Sequence, residues 1–532
     1  MAGSGAAIPV RRHPILRPPS SRILAATLVV AAAACGDGDT RRAGSDSTLT
    51  ILYADPGDAF FLNPNRWHLA QFPVFLTLTT SNDLYGEGPQ PRLAERWEHS
   101  VDYREWTIHL RQDLTWHDGA PVTAHDIEFT MALWRHPDVL YSSEPATVTV
   151  FDDHTLRIAY ERPTLGPLNG WNVYYPKHLL QHLDPAEFAE WEYWKQPVGN
   201  GPYRVVRHVP RTLMELEANP DYCCGKPRIE RVVLKFAGGT QVTELLSGNV
   251  DAAQISPAQL PAVMGNPRFD AHHYASGAVT VHLFWNHNNP LFAQADVRRA
   301  LTMAIDRREL HGVLGLPEDL PIADGIHTAR QYARGDLAPA LPYDPEAAEL
   351  LLDRAGWGQG RAGGVRLRDG REFRFTLIVP DAEWLASPWR AATFIQAQLR
   401  GVGIRMEIQQ HEGTGSVHQR IDDGDFEAAI TFLVAHLPLR HSAYFGEGSP
   451  TGYSPPRVTE LLRAAQVTMD LAERDVIYRE LAEIFHADVP VTFLYPNVEN
   501  WVVNRRVRGL ESPFRAHPLM HLAELWLEEV PH

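Results

Sequence analysis

The sequence predicts mixed α/β domains. Short runs rich in β-branched and aromatic residues alternate with longer segments whose apolar residues recur at helical spacing, and no internal repeat interrupts this order. The 532 residues exceed what one hydrophobic core normally organises, so two or three domains are expected. Hydrophobic residues make up 44% of the chain and charged residues 21%, which is an ordinary globular composition.

The strand pattern begins directly after a polar stretch. Residues 48–53 alternate between polar and apolar types, and Asp55, Pro56 and Gly57 end the run. Further strands are predicted, in chain order, at residues 106–110, 147–151, 155–160, 214–218, 231–236, 279–285, 373–379, 404–409 and 491–495.

Helices are predicted between these strands, from apolar residues that recur every three or four positions. They cover residues 124–134, 240–246, 295–304, 345–355, 389–399, 456–469 and 471–486. The helix at 345–355 carries its own boundary signals, because Asp344 suits the N-cap, Pro345 the first helical position and Gly356 the C-terminal end. These segments specify a scaffold and indicate no activity.

A lipid-anchored export signal is predicted at the N-terminus. Four arginines precede an apolar run at residues 23–34, which ends in four alanines directly before Cys35. This order matches the basic, apolar and small-residue regions of a secretory signal, and it resembles a bacterial lipobox. Residues 1–35 are therefore interpreted as a signal peptide ending at the lipobox cysteine, with Cys35 as the lipidated residue. Residues 36–47 are polar and glycine-rich, as expected of a flexible tether.

The N-terminal segment has two other possible interpretations. A membrane-spanning helix fails on length, because twelve apolar residues cover about 18 Å of a hydrocarbon core that is about 30 Å thick. A plain signal peptide with an incidental cysteine stays open, since Ala32 stands where a lipobox usually has leucine. Both export interpretations place the folded body in the periplasm or at the cell surface.

The net charge excludes some classes of binding partner, and the cysteine content excludes a disulfide framework. The formal net charge of −16 argues against nucleic acid and against an anionic membrane surface, because both require clustered Lys and Arg. Besides Cys35, the chain has only Cys223 and Cys224, which are adjacent and form no disulfide framework. A redox pair and two small loop residues both stay open as interpretations of these two cysteines.

Four groups of motifs follow one another along the chain. The first group comprises PRLAERW (91–97), WTIHLR (106–111) and LTWHDGAPVTAHD (114–126). The second group comprises PVGNGPY (197–203), EANPDY (217–222), GKP (225–227) and LSGNVD (246–251). The third group comprises VRRALTMAIDR (297–307) and YDPEAA (343–348), and the fourth comprises GYS (452–454) and ADVP (487–490). Together they resemble the family 5 extracellular solute-binding proteins, the receptors of peptide, nickel and some sugar ABC importers.

The resemblance implies a three-domain, two-lobed clamp of the periplasmic binding protein type, in its peptide-binding class. Domain I would comprise residues 48–82, 197–283 and 500–532, domain II residues 83–196, and domain III residues 284–499. Domains I and II would form one lobe and domain III the other. The hinge is expected at the strands near residues 279–286 and 491–500. A small solute would bind in the cleft and be enclosed when the lobes close.

The expected role is that of a receptor and not of an enzyme. The His117 and Asp118 pair resembles a catalytic dyad, but no nucleophile stands at a matching spacing, so a packed turn is the preferred interpretation. The resemblance implies no cofactor and no metal, a monomer, and ABC permease subunits as partners. A solute sensor without a transporter and an extracytoplasmic chaperone stay open, and a hydrolase is the weakest alternative.

Residues 433–440 depart from the peptide-binding pattern of the family. Many peptide receptors of the family have an acidic stretch here that holds the ligand's terminal ammonium, whereas His436 and Leu439 appear at its acidic positions. No acid lies between Ile430 and His441 under any alignment, and a buried ammonium without a carboxylate costs several kcal/mol. Free peptides should therefore bind poorly, while Arg440 favours a carboxylate or phosphate.

Candidate ligand contacts are mostly aromatic, because stacking suits a sugar or another flat ligand. For each aromatic residue, core packing is the alternative interpretation. The candidates are Phe60, Tyr85, Trp171, Trp285, Asn286, Phe432, His436, Arg440 and Tyr444.

Overall fold

The computed structural model describes residues 47–528 apart from 54–70, 81–88, 138, 140–145, 169–171, 210–211, 238, 258, 275–278, 323, 328–330, 332–334, 361–363, 382–387, 435–437 and 511–517. The chain divides into two units, 1–44 and 45–532, and all described residues lie in the second. The predicted signal peptide, Cys35 and nearly all of the predicted tether lie outside the described residues. Within the described part of the chain, no helix is long and apolar enough to cross a bilayer.

The strands are numbered in chain order. They are β1 Thr48–Tyr53, β2 Ala94–His99, β3 Glu105–Leu110, β4 Ala146–Asp152, β5 Thr155–Tyr160, β6 Tyr203–Val209, β7 Leu213–Ala218, β8 Arg231–Phe236, β9 Ala252–Gln254, β10 Phe269–Tyr274, β11 Val279–Trp285, β12 Leu367–Arg368, β13 Arg371–Glu372, β14 Arg374–Asp381, β15 Arg405–Glu412, β16 Ala428–Val434, β17 Val491–Pro496, β18 Glu499–Asn504, β19 Val507–Arg508 and β20 Trp526–Leu527. Each predicted strand has a counterpart among them.

The helices are likewise numbered in chain order, and each predicted helix has a counterpart. They are α1 Ala124–Trp134, α2 Lys177–Leu180, α3 Gln241–Ser247, α4 Ala295–Met303, α5 Arg307–Leu314, α6 Pro345–Arg354, α7 Pro388–Gly401, α8 Gly413–Asp422, α9 Pro438–Tyr444, α10 Pro456–Val467 and α11 Leu471–Asp488. The predicted boundary of α6 is confirmed, since Asp344 Oδ1 accepts a hydrogen bond from Ala347 N at 2.9 Å.

Three larger sheets organise the described residues, and two two-stranded sheets, β12-β13 and β19-β20, accompany them. A seven-stranded sheet has the order β10-β18-β9-β1-β8-β7-β6, a five-stranded sheet the order β15-β14-β16-β11-β17, and a four-stranded sheet the order β2-β3-β5-β4. The seven-stranded sheet draws strands from three separate parts of the sequence. The four-stranded sheet comes from residues 94–160, and the five-stranded sheet from residues 279–496.

Apolar side chains cover both faces of the five-stranded sheet. Along β11, Val281, Leu283 and Trp285 enter one core with helix α7, because alternate residues of a strand point to the same face. Phe284 points the other way, into a core that helices α8, α10 and α11 complete. The sheet is therefore the middle layer of three.

An ion pair in the seven-stranded sheet connects segments that are far apart in the sequence. Arg506 donates from Nε and Nη2 to the two carboxylate oxygens of Asp251, at 2.7 and 2.9 Å. Asp251 Oδ2 also accepts from Thr50 N at 2.9 Å, and Arg506 Nη2 donates to Thr48 O. Asp251 ends the LSGNVD motif, so this motif has a structural role: it joins β1, β9 and the segment after β18.

The strand pairing bears on the proposed boundary between domains I and III. Strand β11 pairs only with β16 and β17, both of which belong to the five-stranded sheet. A boundary at residue 283 would cut through this strand, so a division before Val279 follows the hydrogen bonding better. The division into three domains itself stays a proposal.

Candidate functional site

The chain passes between the two largest sheets at two adjacent places. Strand β10 of the seven-stranded sheet precedes β11 of the five-stranded sheet, and β17 of the five-stranded sheet precedes β18 of the seven-stranded one. Both pairs are neighbours, because β10 pairs antiparallel with β18, and β11 with β17. Side-by-side crossings allow two bodies to rotate about a single line, which is the geometry of a hinge.

Backbone hydrogen bonding continues into the crossings. Asn497 N donates to Val279 O at 2.8 Å, and Thr280 lies opposite Pro496 in the ladder. On the other side, Tyr274 lies opposite Glu499. We call the described residues 272–274, 279–282 and 493–501 the crossing segments. They include the predicted hinge strands only in part, since β11 and β17 continue deep into the five-stranded sheet.

A buried histidine lies at the start of β11, beside the crossing. His282 Nε2 is 2.7 Å from Thr280 Oγ1, and its ring meets that of Phe493 edge-on at 5.5 Å. Burial, together with the smaller effect of the nearby His441 and His327, lowers the pKa of His282 to about 3. The imidazole is therefore neutral at physiological pH and serves as a hydrogen-bonding group without charge.

Helix α9 brings a second buried histidine close to the first. His441 Nδ1 is 2.7 Å from the hydroxyl oxygen of Tyr478 on helix α11. Residues 433–440, from which the ligand specificity is predicted, overlap the first residues of this helix. The contact with Tyr478 therefore fixes the C-terminal side of that segment to the packed helices of the five-stranded sheet.

Three rings group around the end of β16. The His418 ring lies 5.0 Å from that of Phe432 and 6.2 Å from that of Tyr444, and its Nε2 is 2.7 Å from Thr431 Oγ1. Tyr444 also packs against Phe284 at 5.5 Å. Two of the predicted ligand residues, Phe432 and Tyr444, are thus brought together by a histidine that the sequence pattern did not indicate.

The seven-stranded sheet contributes an acid and two stacked rings near the crossing. Trp501 Nε1 donates to Glu499 Oε2 at 3.3 Å, and Trp501 stacks on Tyr53 with ring centroids 6.3 Å apart. Burial raises the pKa of the Glu499 carboxyl to about 7, while the bond from Trp501 acts in the opposite direction. The one sequence signal for this residue is an acid close to the apolar residues Trp501, Val502 and Val503.

Two predicted ligand residues are committed to the scaffold. Trp285 is fully buried, and its Nε1 donates to Thr492 Oγ1 at 3.2 Å. Asn286 Nδ2 donates to Phe426 O at 2.7 Å, and its Oδ1 accepts from Asn288 N at 3.0 Å. Their side chains hold a core and a turn, so ligand contact by either stays a prediction that these contacts do not favour.

The other candidates lie outside what can be placed. Phe60, Tyr85, Trp171 and His436 are outside the described residues. Arg440 belongs to helix α9, but only its backbone is described. For these five residues, ligand contact stays a prediction.

In the WHDG segment (116–119), His117 makes hydrogen bonds to the backbone of the PVGNGPY motif. His117 N donates to Gly199 O at 2.7 Å, Gly199 N donates to His117 Nδ1 at 3.1 Å, and His117 Nε2 is 3.0 Å from Gly201 O. Burial lowers the pKa of His117 to about 4, so the ring is neutral, with Nδ1 accepting and Nε2 donating. The predicted interpretation of this motif as a packed turn agrees with these contacts.

Helix ends explain the arginines of the VRRAL motif. Arg298 is buried and donates to four backbone carbonyls. Two follow or end α11, Val489 O at 2.9 Å and Asp488 O at 2.5 Å, and two precede α4, Phe292 O at 2.6 Å and Ala293 O at 3.1 Å. Arg299 donates to Ala487 O at 2.7 Å. Both guanidinium groups therefore satisfy the orphan carbonyls at the C-terminus of α11.

The described residues offer few options for metal chemistry. Within that part of the chain, no group of three or more His, Cys, Asp and Glu side chains is placed to hold a metal ion. What the crossing region offers is the neutral imidazole of His282, aromatic rings and one carboxyl of raised pKa. Such a set can bind an organic solute by stacking and hydrogen bonding.

A family model described as "Bacterial extracellular solute-binding proteins, family 5 Middle" matches residues 88–452. The oligopeptide-binding protein AppA of Bacillus subtilis is 24% identical over 448 residues, which cover 79% of this chain and 80% of AppA. Protein XP55 of Streptomyces lividans is 28% identical over 438 residues, covering 77% of this chain and 76% of XP55.

Solved structures give the same fold. AppA of Bacillus subtilis in complex with a nonapeptide matches with a TM-score of 0.72 at 20% identity, covering 91% of this chain and 99% of that one. NikZ of Campylobacter jejuni in complex with Ni(L-His) matches with a TM-score of 0.71 at 22% identity, covering 90% and 99%. These matches confirm the predicted fold, a two-lobed clamp of the periplasmic binding protein type.

Proposed function

The chain belongs to the family 5 bacterial extracellular solute-binding proteins, and on this basis we propose that it is the lipid-anchored substrate receptor of an ABC importer. It captures a small solute between two lobes, alters no bond in it, and presents the closed complex to permease subunits. The observation that carries this proposal is the pair of adjacent crossings, β10 to β11 and β17 to β18.

Closure is the step that binding energy drives. A solute that touches both lobes makes all its contacts only in the closed state, so it shifts the population toward that state by the difference in its affinity for the two. The first lobe contains the seven-stranded and four-stranded sheets, and the second lobe the five-stranded sheet. Because the crossing segments are short and paired, most of each sheet can move as a rigid body.

The proposed solute position lies between the end of β16 and the crossing segments. On the second lobe, the ring group of Phe432, His418 and Tyr444 supports this position. On the first lobe, Glu499 and the stacked pair of Trp501 and Tyr53 support it. Stacking surfaces with few charged groups suit a solute that is partly flat or apolar.

The proposed solute has no requirement for a free peptide ammonium. AppA, a relative, is named for oligopeptide binding, but this chain has no acid between Ile430 and His441. The sequence predicts ligand contact by Arg440 and His436, and these side chains would favour an anionic or electron-rich group in the solute. Glu499 is the acid nearest to the crossing, and its raised pKa lets it donate a hydrogen bond when protonated.

Lipid anchoring completes the proposal. The basic and apolar order before Cys35 supports acylation of that cysteine. Membership in an extracellular family supports export of the folded body. The flexible tether of residues 36–47 would then let the folded domains reach a permease in the same membrane or across the periplasm.

A ligand panel tests the proposal. The purified protein is titrated with free peptides, N-acetylated peptides, oligosaccharides and organic anions, and thermal unfolding is followed for each. A solute present at 100 times its Kd stabilises the protein by about 2.7 kcal/mol. X-ray scattering on the best solute should show a decrease in the radius of gyration, and mass spectrometry should recover the solute unchanged. Conversion of the solute into products, or binding without any change in scattering, would contradict a receptor that works by closure.

A further inference from the structure

Two adjacent thiols occupy the tip of the connection between β7 and β8. Cys223 and Cys224 lie between Tyr222 and Gly225, and Gly225 N donates to Tyr222 O at 3.2 Å, so the cysteines are the two central residues of a turn. Gly225 follows with a φ of +98°, which favours glycine. The two sulfur atoms are 2.9 Å apart.

The two thiols have different surroundings. Cys224 is exposed, and Arg111 Nη1 lies 3.7 Å from its sulfur. Cys223 is half-buried and packs against the core beneath the seven-stranded and four-stranded sheets. Burial, together with the neighbouring Cys224, raises the pKa of Cys223 to about 12.

We propose that Cys223 and Cys224 form a reversible redox site, which closes to a vicinal disulfide by exchange with a disulfide-bearing oxidant. The sulfurs need to approach by only about 0.9 Å to reach covalent distance. An extracellular protein works in a compartment where disulfides form and persist. The proposed capture of solute does not use these two residues.

The exchange proceeds in two balanced steps. The Cys224 thiolate, formed by loss of a proton to solvent and facing the Arg111 guanidinium, attacks one sulfur of an oxidant RSSR, forms a mixed disulfide and releases RS⁻. The Cys223 thiol then loses its proton, attacks the Cys224 sulfur and releases the second RS⁻. The two released protons convert both leaving groups to RSH, so one RSSR is reduced to two RSH while the dithiol becomes a disulfide.

The unequal surroundings set the order of these steps. Cys224 attacks first because it is exposed and faces a cation, whereas Cys223 is partly buried. Once Cys224 carries a mixed disulfide, it no longer bears a charge and no longer shares a proton with Cys223, so part of the cause that raises the pKa of Cys223 is removed. The second step is intramolecular, between atoms already in contact.

The closed form should be easily reduced. Adjacent Cα atoms are about 3.8 Å apart, below the usual range for disulfide-linked residues, so the eight-membered ring is strained. Strained and exposed disulfides have more oxidising potentials and are the labile ones. The pair is thus suited to reversible switching and not to holding the fold.

The test uses the full chain and oxidised glutathione. The reduced protein is incubated with the oxidant, quenched with acid and digested with trypsin, which releases residues 212–228 as a peptide containing both cysteines and not Cys35. The expected peptide is lighter than the dithiol form by two hydrogen atoms and returns to the dithiol mass after mild reduction. A peptide that stays a dithiol, or one that stops as a glutathione adduct, would overturn the proposal.

Single variants establish the order of attack. Cys223→Ser is expected to stop at one glutathione on Cys224, and Cys224→Ser to react far more slowly. Arg111→Gln should slow the first step, whereas Arg96→Gln, which removes another arginine paired with an acid on the same sheet region, should leave its rate unchanged. Equal rates in the two cysteine variants would refute the assigned order, and an unchanged rate in Arg111→Gln would refute the role of that arginine.

Discussion

The backbone amide of Asn497 donates to the carbonyl of Val279 across 2.8 Å, and this bond joins the two crossing segments. This bond is the last of the ladder between β11 and β17, at the end of both strands that faces the seven-stranded sheet. Any rotation of one lobe against the other must therefore bend two hydrogen-bonded segments together. This coupling restricts the motion to rotation about one axis. A substitution that removes the bond should therefore change closure.

Asn497→Pro removes the donor of this bond. The free energy of unfolding of this variant should be lower than that of the wild type by about 1 kcal/mol or more, because the Val279 carbonyl loses its hydrogen-bond partner. It should also change the decrease in radius of gyration that a solute produces, as measured by X-ray scattering.

Asn497→Ala is the matched control, because it keeps the amide. The Asn497 Oδ1 atom is buried without a hydrogen-bond partner among the described residues, so its removal should cost little. If the alanine and proline variants behave alike in scattering, the backbone bond has no part in closure.

Acid should destabilise the protein through histidines that are buried in the neutral form. The pKa of His282 is about 3 in the folded state, against about 6.5 in an unfolded chain. Between these values the unfolded state binds more protons, so the stabilisation is complete above about pH 6.5 and is lost as the pH falls. At pH 5 this one group should cost about 2 kcal/mol relative to pH 7.5.

His282→Gln tests this expectation, since glutamine can still accept from Thr280 and does not titrate. The difference in the free energy of unfolding between pH 7.5 and pH 5, from urea denaturation, should shrink by about 2 kcal/mol. His182→Gln, at an exposed position, should leave that difference as it is in the wild type. An equal effect of both substitutions would contradict the assignment to burial.

Gly199 lies where the PVGNGPY motif meets the backbone of Val74. A Cβ at this position would come within 1.9 Å of Val74 O. Gly199→Ala should therefore destabilise the protein by several kcal/mol or prevent folding, as expected for strain in a packed core. Thermal unfolding and soluble yield would measure the effect.

Gly415→Ala gives the same chemical change in an open position. Gly415 lies in helix α8, and a Cβ there meets no atom within 4 Å. The substitution should raise the stability by about 0.5 to 1 kcal/mol, because alanine favours the helix. Opposite signs for the two variants would assign the effect of Gly199→Ala to the close approach to Val74 and not to loss of glycine as such.

Pattern recognition predicted most of the scaffold, and the exceptions have physical causes. Strand β2, with the sequence AERWEH, buries only Ala94 fully, so its sequence lacks the alternation that indicates a half-buried strand. Strand β16, with the sequence AAITFLV, is a continuous apolar run, and such runs fit a buried strand and a buried helix equally well.

The site was harder to predict because side-chain roles depend on tertiary neighbours. Trp285 falls on the core face of β11 by the strand's own alternation, together with Val281 and Leu283. The perturbed pKa values of His282 and Glu499 arise from burial by distant segments, which no local pattern encodes. The family motifs, by contrast, mark contacts such as that of His117 with Gly199, which build the scaffold and not the site.

Glu499 should weaken the fold at alkaline pH. Its folded pKa of about 7 lies above the unfolded value of about 4.3, so the folded state binds more protons between these values. The contribution of this group is fully present below about pH 4 and is lost as the pH rises through 7. Glu499→Gln, which keeps the size and an acceptor for Trp501, should therefore raise the free energy of unfolding at pH 8 by up to about 3 kcal/mol and change it little at pH 4.5.

Glu192→Gln serves as the control, since Glu192 is an exposed acid that pairs with Lys195. Its effect on stability should be small at both pH values. Solute binding gives a second measurement on Glu499→Gln: if the carboxyl faces the proposed solute, the Kd for the best solute from the panel should change, and its pH dependence near 7 should disappear. A Kd and a pH profile equal to those of the wild type would remove Glu499 from the proposed binding site while leaving its effect on stability intact.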